Sequence, residues 1–187
     1  MAGSVTTIED GTPFVTLGID REVFAVPVAA VLEILDMQSV CRIPDAPAYL
    51  IGLISVRERG VPVIDLRVRL GLPAVPATGH TRILVLDMPL AERKLTLGLV
   101  VDRVFEVTPL DSRSIEPPPD IGIRWRSDYI DGVGRRGDKF VIILNLARLF
   151  SSSDVPLAGT GVDGEKGAAL FSAAAVSSRT TEAVSCA

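Results

Sequence analysis

Residue types that carry chemistry are sparse in this chain. Gly132-Val-Gly134-Arg-Arg-Gly137 has the G-x-G-x-x-G spacing of a dinucleotide-binding turn. In such a turn the glycines open a helix whose N-terminus faces the pyrophosphate. Here Asp138 leads instead into Lys139-Phe-Val-Ile-Ile-Leu144, a β-rich run, so the glycines are expected in a hairpin. The one histidine, His80, lies between Gly79 and Thr81 with no serine or cysteine elbow to serve, and reads as a solvated linker residue. Metal sites draw on clustered His, Cys or carboxylates, which one histidine and the distant Cys41 and Cys186 do not supply. No catalytic residue, metal or cofactor is expected, and two cysteines do not make a disulfide framework.

Other polar groups suggest contact and not catalysis. Arg124-Trp-Arg126 joins an aromatic ring to two guanidinium groups, a pattern for stacking at an interface or for a half-buried tryptophan between solvated arginines. Glu33 interrupts the apolar run Ala25 to Leu35, and strand alternation places it on one face with Val31 and Leu35. It either marks a polar notch in a groove or is simply solvated. Arg57, Arg59, Arg67 and Arg69 lie around one hairpin and its helix among Glu58 and Asp65, and read as solvated ion pairs.

The elements that would position these residues are short. The chain has 187 residues, 48% of them hydrophobic, enough for a real core. With a net charge of −4 it lacks the basic excess that phosphate-backbone binding needs, so no nucleic-acid partner is expected. Its longest apolar runs fall short of the roughly 20 residues of a membrane helix. No secretory signal is visible at the N-terminus, so the protein is expected in the cytoplasm. Residues 12–72 consist of runs of Val, Ile, Leu and Phe divided by Gly, Pro and Asp, the pattern of small β-barrels or a sandwich. Expected hairpins join Pro13–Leu17 to Val23–Val26 through Gly18-Ile-Asp20, and Gly52–Val56 to Val61–Leu66 near Glu58-Arg59-Gly60. Pro27 suits the start of a helical turn. Leu66 and Leu70, with Gly71 as the C-cap, predict a short helix closing the segment.

This organisation returns. Tyr49-Leu-Ile-Gly52…Val61-Pro-Val-Ile-Asp65-Leu66 reappears 80 residues later as Tyr129-Ile-Asp-Gly132…Val141-Ile-Ile-Leu-Asn145-Leu146. Upstream, Thr16-Leu17-Gly18 matches Thr96-Leu97-Gly98, and Val23-Phe-Ala-Val26 matches Val104-Phe-Glu-Val107 one residue out of step. Two related halves predict two packed lobes with a groove between them: lobe one about 12–72, a linker at 73–79, and lobe two about 80–150. In the second, strands are expected near Arg82–Leu86, Leu95–Val101 and Val104–Leu110, an excursion at Pro117-Pro-Pro119, and a last hairpin turning at Gly137-Asp138. Residues 1–11 read as an N-terminal extension. After Ser151 the Ser, Ala and Gly content predicts a mobile tail over 151–187.

At Val31-Leu-Glu33-Ile34, Ile43-Pro-Asp-Ala-Pro47-Ala-Tyr49-Leu-Ile-Gly52, Arg57 and Pro62-Val-Ile-Asp65-Leu-Arg67 the chain resembles the CheW family of chemotaxis coupling proteins. The resemblance continues through Gly98-Leu-Val-Val-Asp102-Arg-Val104, Ile115-Glu-Pro-Pro118, Tyr129-Ile-Asp-Gly132 and Ile142-Ile-Leu-Asn145. It implies a mainly β fold: two SH3-like five-stranded barrel lobes packed together, with short closing helices and no catalytic centre. It further implies an adaptor between the cytoplasmic tips of methyl-accepting chemoreceptors and the regulatory domain of the histidine kinase CheA. Such an adaptor works at receptor arrays on the inner face of the membrane, which it reaches only through the receptors. A scaffold for a related receptor–kinase system, in surface motility or second-messenger control, is the alternative. The family's receptor-facing groove maps to Val31, Glu33, Ile34, Gly52 and Arg57. Beside that arginine, family members commonly read Asn-Leu-Arg-Gly, and this chain reads Ser55-Val-Arg57-Glu58. Glutamate reaches positive φ less cheaply than glycine, so a reshaped hairpin tip is expected, with Gly60 as a nearby flexible residue.

Overall fold

Turn residues cut the apolar runs into ten strands among the residues that the computed structural model describes, 11–90, 93–110, 115–117 and 129–150. In order these are β1 (Pro13–Ile19), β2 (Glu22–Pro27), a 3-10 turn (Val28–Ala30), β3 (Val31–Asp36), β4 (Leu50–Val56), β5 (Arg59–Asp65) and α1 (Leu66–Arg69). Then come β6 (Arg82–Leu90), β7 (Arg93–Val101), β8 (Arg103–Pro109), β9 (Ile130–Arg136), β10 (Lys139–Leu144) and α2 (Leu146–Leu149). Each half of the chain therefore yields five strands and one short helix in the same order. The 1–11 extension (but for Gly11), the 151–187 tail and Arg124-Trp-Arg126 lie outside the described residues.

The strands assemble into two five-stranded sheets, ordered β8-β1-β2-β10-β9 and β3-β6-β7-β5-β4. Neither sheet corresponds to one half of the sequence. The first takes the β1–β2 hairpin from the first half and three strands from the second; the other takes the β6–β7 hairpin from the second half and three strands from the first. This corrects the division into lobes at 12–72 and 80–150: the halves exchange their leading hairpins. The exchange is held by two parallel pairings, β10 with β2 and β5 with β7, each between halves. It also reassigns the upstream repeat. By position in the sheets β1 corresponds to β6 and β2 to β7, so the likeness of Thr16-Leu17-Gly18 to Thr96-Leu97-Gly98, which sets β1 against β7, joins strands in different places.

Each sheet curls into a barrel because its two edges meet. Beyond β3, Cys41 exchanges N–H···O bonds of 2.8 Å with Leu53 of β4, and beyond β8, Glu116 does the same with Val133 of β9 at 2.9 and 2.8 Å. One barrel is filled around Phe14, Ala25, Leu110, Val141 and Ile143, the other around Ile54, Val61, Val63 and Ile83. β1 and β6 are buried along both faces, one face in their own barrel while α2 covers β6 and β7 touches β1 from the opposite barrel. Each fully buried aliphatic or aromatic side chain there contributes roughly 1.5–3 kcal/mol.

The helices are stopped as their sequences dictate. Asp65 and Asn145, 80 residues apart, each accept an N–H three residues on, from Val68 and Arg148, and cap α1 and α2. After α1, Gly71 at φ +84° bonds to Val68 O and Leu72 to Arg67 O, the paired bonds of a Schellman stop.

Candidate contact site and its relatives

β3 is an edge strand, and its burial alternates. Val31, Glu33 and Leu35 are half-buried on one face, as strand alternation required, while Leu32, Ile34 and Asp36 are exposed on the other. The expected groove residues are thus divided: Val31 and Glu33 face inward and Ile34 faces outward beside Leu32, which the sequence reading did not select. Leu32 is 55% exposed and Ile34 42%, which together make an apolar strip on an open strand edge. The signal for Leu32 was present in the period of two, since a residue between Val31 and Glu33 must point away from both.

Glu33 and Arg57 are brought together. Arg57 Nε lies 3.6 Å from Glu33 Oε1, with the arginine side chain 80% exposed and the glutamate 25%. Glu33 is thus half-buried and paired, and not simply solvated. Arg57 stands there because β4 and β5 are joined by only two residues, Arg57 and Glu58, both at positive φ (48° and 65°). That is the I′ hairpin form, which matches the twist of the strands but usually uses Asn or Gly. The turn expected near Glu58-Arg59-Gly60 is therefore displaced: Gly60 sits inside β5, and two residues with side chains carry the left-handed conformation. The matching turn in the second barrel is Gly137-Asp138, as expected, with the glycine at positive φ.

Gly52 plays a different part from the other groove residues. It is buried, and a Cβ there would fall 2.1 Å from Cys41 O. It lets the chain after β3 close on β4 and so supports the rim from beneath. Gly132 does the same in the second barrel, where a Cβ would meet Ile115 Cγ2 at 2.5 Å and Glu116 O at 3.2 Å. The G-x-G-x-x-G glycines thus lie in β9 and its turn, in the hairpin expected for them.

The second barrel repeats the arrangement. β8 carries Val104-Phe-Glu-Val107 where β3 carries Val31-Leu-Glu-Ile34, with Phe105 and Val107 exposed as Leu32 and Ile34 are. Glu106 pairs with Arg136 of β9, as Glu33 pairs with Arg57. Thr16 is buried beneath it at a bulge between β1 and β8, and its hydroxyl bonds both the Glu106 carbonyl (2.9 Å) and the Glu106 N–H (3.3 Å). Phe140 on β10 is exposed as well, with Arg135 over its ring at 5.1 Å, and Arg103 lies over Phe105 at 5.9 Å.

Two of the four arginines expected in solvent are buried instead. Arg67 and Arg69 are 8% and 6% exposed, while Arg57 and Arg59 remain outside. α1 turns both inward, where they find acceptors on the other barrel. His80 is exposed, its N–H bonded to Thr78 Oγ1 at 3.2 Å. Among the described residues no group of three or more His, Cys, Asp or Glu is placed to hold a metal, and no helix is long and apolar enough to cross a membrane.

Comparison with known proteins agrees with this architecture. Residues 13–154 match the family model for the CheW-like domain. The chemotaxis protein CheW of Treponema pallidum is 30% identical over 141 residues, covering 75% of this chain and 83% of the relative. That of Klebsiella aerogenes is 29% identical over 147 residues, covering 79% and 86%. A crystal structure of the scaffolding protein TtCheW from Thermoanaerobacter tengcongensis superposes with a TM-score of 0.68 at 30% identity, over 78% of this chain and 96% of that one. Two hairpin-exchanged five-stranded barrels with short closing helices, and a sequence match across nearly all the described residues, place this chain in the CheW family.

Proposed function

We propose that this chain is a non-enzymatic adaptor that couples the cytoplasmic tips of chemoreceptors to the histidine kinase CheA in a chemotaxis array, in the cytoplasm at the inner face of the membrane. The observation that carries the reading is the pair of apolar strips, Leu32/Ile34 on β3 and Phe105/Val107 on β8, each beside a rim ion pair. An apolar centre with a charged margin is the anatomy of a protein interface, and a coupler needs two of them.

The receptor contact is assigned to the β3 side. Leu32 and Ile34 supply apolar area, half-buried Val31 backs them from the inner face of the strand, Glu33 and Arg57 form the polar margin, and Gly52 supplies the closed rim that keeps them in place. A helix laid across this edge buries a few aliphatic side chains and offers its own charges to the exposed Arg57. The kinase contact is assigned to the β8 side, where Phe105 and Val107 lie beside Arg103 and the Glu106–Arg136 pair.

Separate affinities for receptor and kinase test both assignments. Ile34→Asp introduces a carboxylate into the exposed strip where apolar burial is needed and is expected to remove most receptor affinity. Arg57→Ala weakens receptor binding more modestly, and kinase binding survives both. Phe105→Ser has the reverse pattern. A folded Ile34→Asp protein with parental receptor affinity would overturn the assignment to this strip.

A further inference from the structure

Among the described residues the chain passes from one barrel to the other at two places, through Pro27–Ala30 between β2 and β3 and at Asp102 between β7 and β8. The second crossing is fastened. Asp102 Oδ2 accepts the Asp20 N–H at 2.7 Å and Arg67 Nη1 at 2.5 Å, and the Asp102 N–H donates to Gly18 O at 3.2 Å. Arg67 also reaches Asp20 Oδ1 with Nη2 at 3.4 Å and Pro73 O with Nε at 3.1 Å.

One buried guanidinium on the helix that follows β5 thereby holds the β1–β2 turn of the opposite barrel, the crossing itself and the start of the linker. The fastening is one-sided, because the residue 80 positions later on α2 is Ala147. A planar fork of donors can serve three acceptors in fixed directions, which the single ammonium of lysine cannot. A charge so far removed from water also requires its partner, so the pair sets geometry more strongly than a surface ion pair does.

We propose that Arg67 and Asp102 clamp the two barrels at one relative setting, and that this setting lets the β3 and β8 strips engage their partners together. The functional half of this inference rests on the adaptor reading. Both are positioning residues, since neither belongs to either strip.

The test uses the full chain with Cys41→Ser and Cys186→Ser and spin labels on cysteines introduced at the exposed positions Ser55 of β4 and Lys139 of β10, one in each barrel. Arg67→Lys and Asp102→Asn are expected to broaden or shift the measured distance distribution, while Arg57→Ala leaves it unchanged. In a reconstituted receptor–kinase assembly the same two variants are expected to lower kinase stimulation roughly fivefold or more while each separate affinity stays near parental. If Arg67→Lys does not fold, Asp102→Asn carries the test, since it leaves the Arg67 fork its other acceptors. A parental distance distribution in a folded clamp variant overturns the clamp, and an altered distribution with parental stimulation overturns its role in coupling. If the parent chain itself couples nothing, the adaptor reading falls while the distance measurement still decides the clamp.

Discussion

Arg69 donates from Nε and Nη2 to the carbonyl oxygen of Leu149 at 2.9 and 2.6 Å, and Leu149 is the residue that occupies Arg69's own place 80 positions later in the second helix. The guanidinium lies between Tyr49 and Tyr129, also 80 apart, with its carbon 5.0 and 5.2 Å from the two ring centroids. Arg69 has no arginine counterpart 80 positions later, so one arginine serves a site built from both halves.

Replacing Arg69 by Ala removes charge-assisted bonds and two desolvated ring contacts at once. A loss of roughly 2–4 kcal/mol of unfolding free energy is expected. Arg69→Lys, which keeps the charge and loses the fork, falls between. Urea unfolding followed by circular dichroism measures both, and equal stability of the Ala variant and the parent would refute the central role of this contact.

Gly52→Ala and Gly132→Ala separate two closures that look alike in sequence. At Gly52 the added carbon meets backbone at positive φ (152°), where neither the Cys41 carbonyl nor the strand can yield cheaply, so a loss of about 3 kcal/mol is expected. At Gly132 the nearest atom is Cγ2 of the branched Ile115 side chain at 2.5 Å, with the Glu116 carbonyl oxygen at 3.2 Å, and no positive φ is added, so a smaller loss of about 2 kcal/mol is expected. Thermal melts of the two variants should keep that order.

Arg57 and Glu58 hold a left-handed turn that asparagine and glycine adopt at lower cost. Glu58→Gly is expected to stabilise the fold by about 1 kcal/mol. The exposed Glu33–Arg57 pair is worth only about 0–1 kcal/mol, so Arg57→Ala should barely move the melting temperature. Binding lost with Arg57→Ala and retained with Glu58→Gly would then report a partner contact; the opposite result would make the shape of the turn the determinant.

ATP and NAD are expected to give no binding heat in calorimetry, because Gly132 and Gly134 lie in a strand and Gly137 in its turn, so none of them opens a helix. Micromolar affinity abolished by Gly134→Ala would overturn this.

By itself the sequence determined most of the local structure, the turn between β4 and β5 excepted. The strands follow from period-two burial, the 3-10 turn begins after Pro27, the caps sit at Asp65 and Asn145, and the hairpin-plus-helix repeat at an 80-residue offset comes out as β4, β5, α1 and β9, β10, α2. Glu33 was correctly set on one face with Val31, since alternation is a property of a single strand. Tertiary structure decided which strands pair. Exchange of the leading hairpins depends on parallel contacts such as Val63 with Gly98 and Val141 with Val23, and no short-range pattern encodes a partner at that distance along the chain. The same holds for the arginines. Arg67 and Arg69 read like Arg57 and Arg59 by composition, and only the tertiary fold brings to them the acceptors, Asp102 and Leu149 O, that offset their burial.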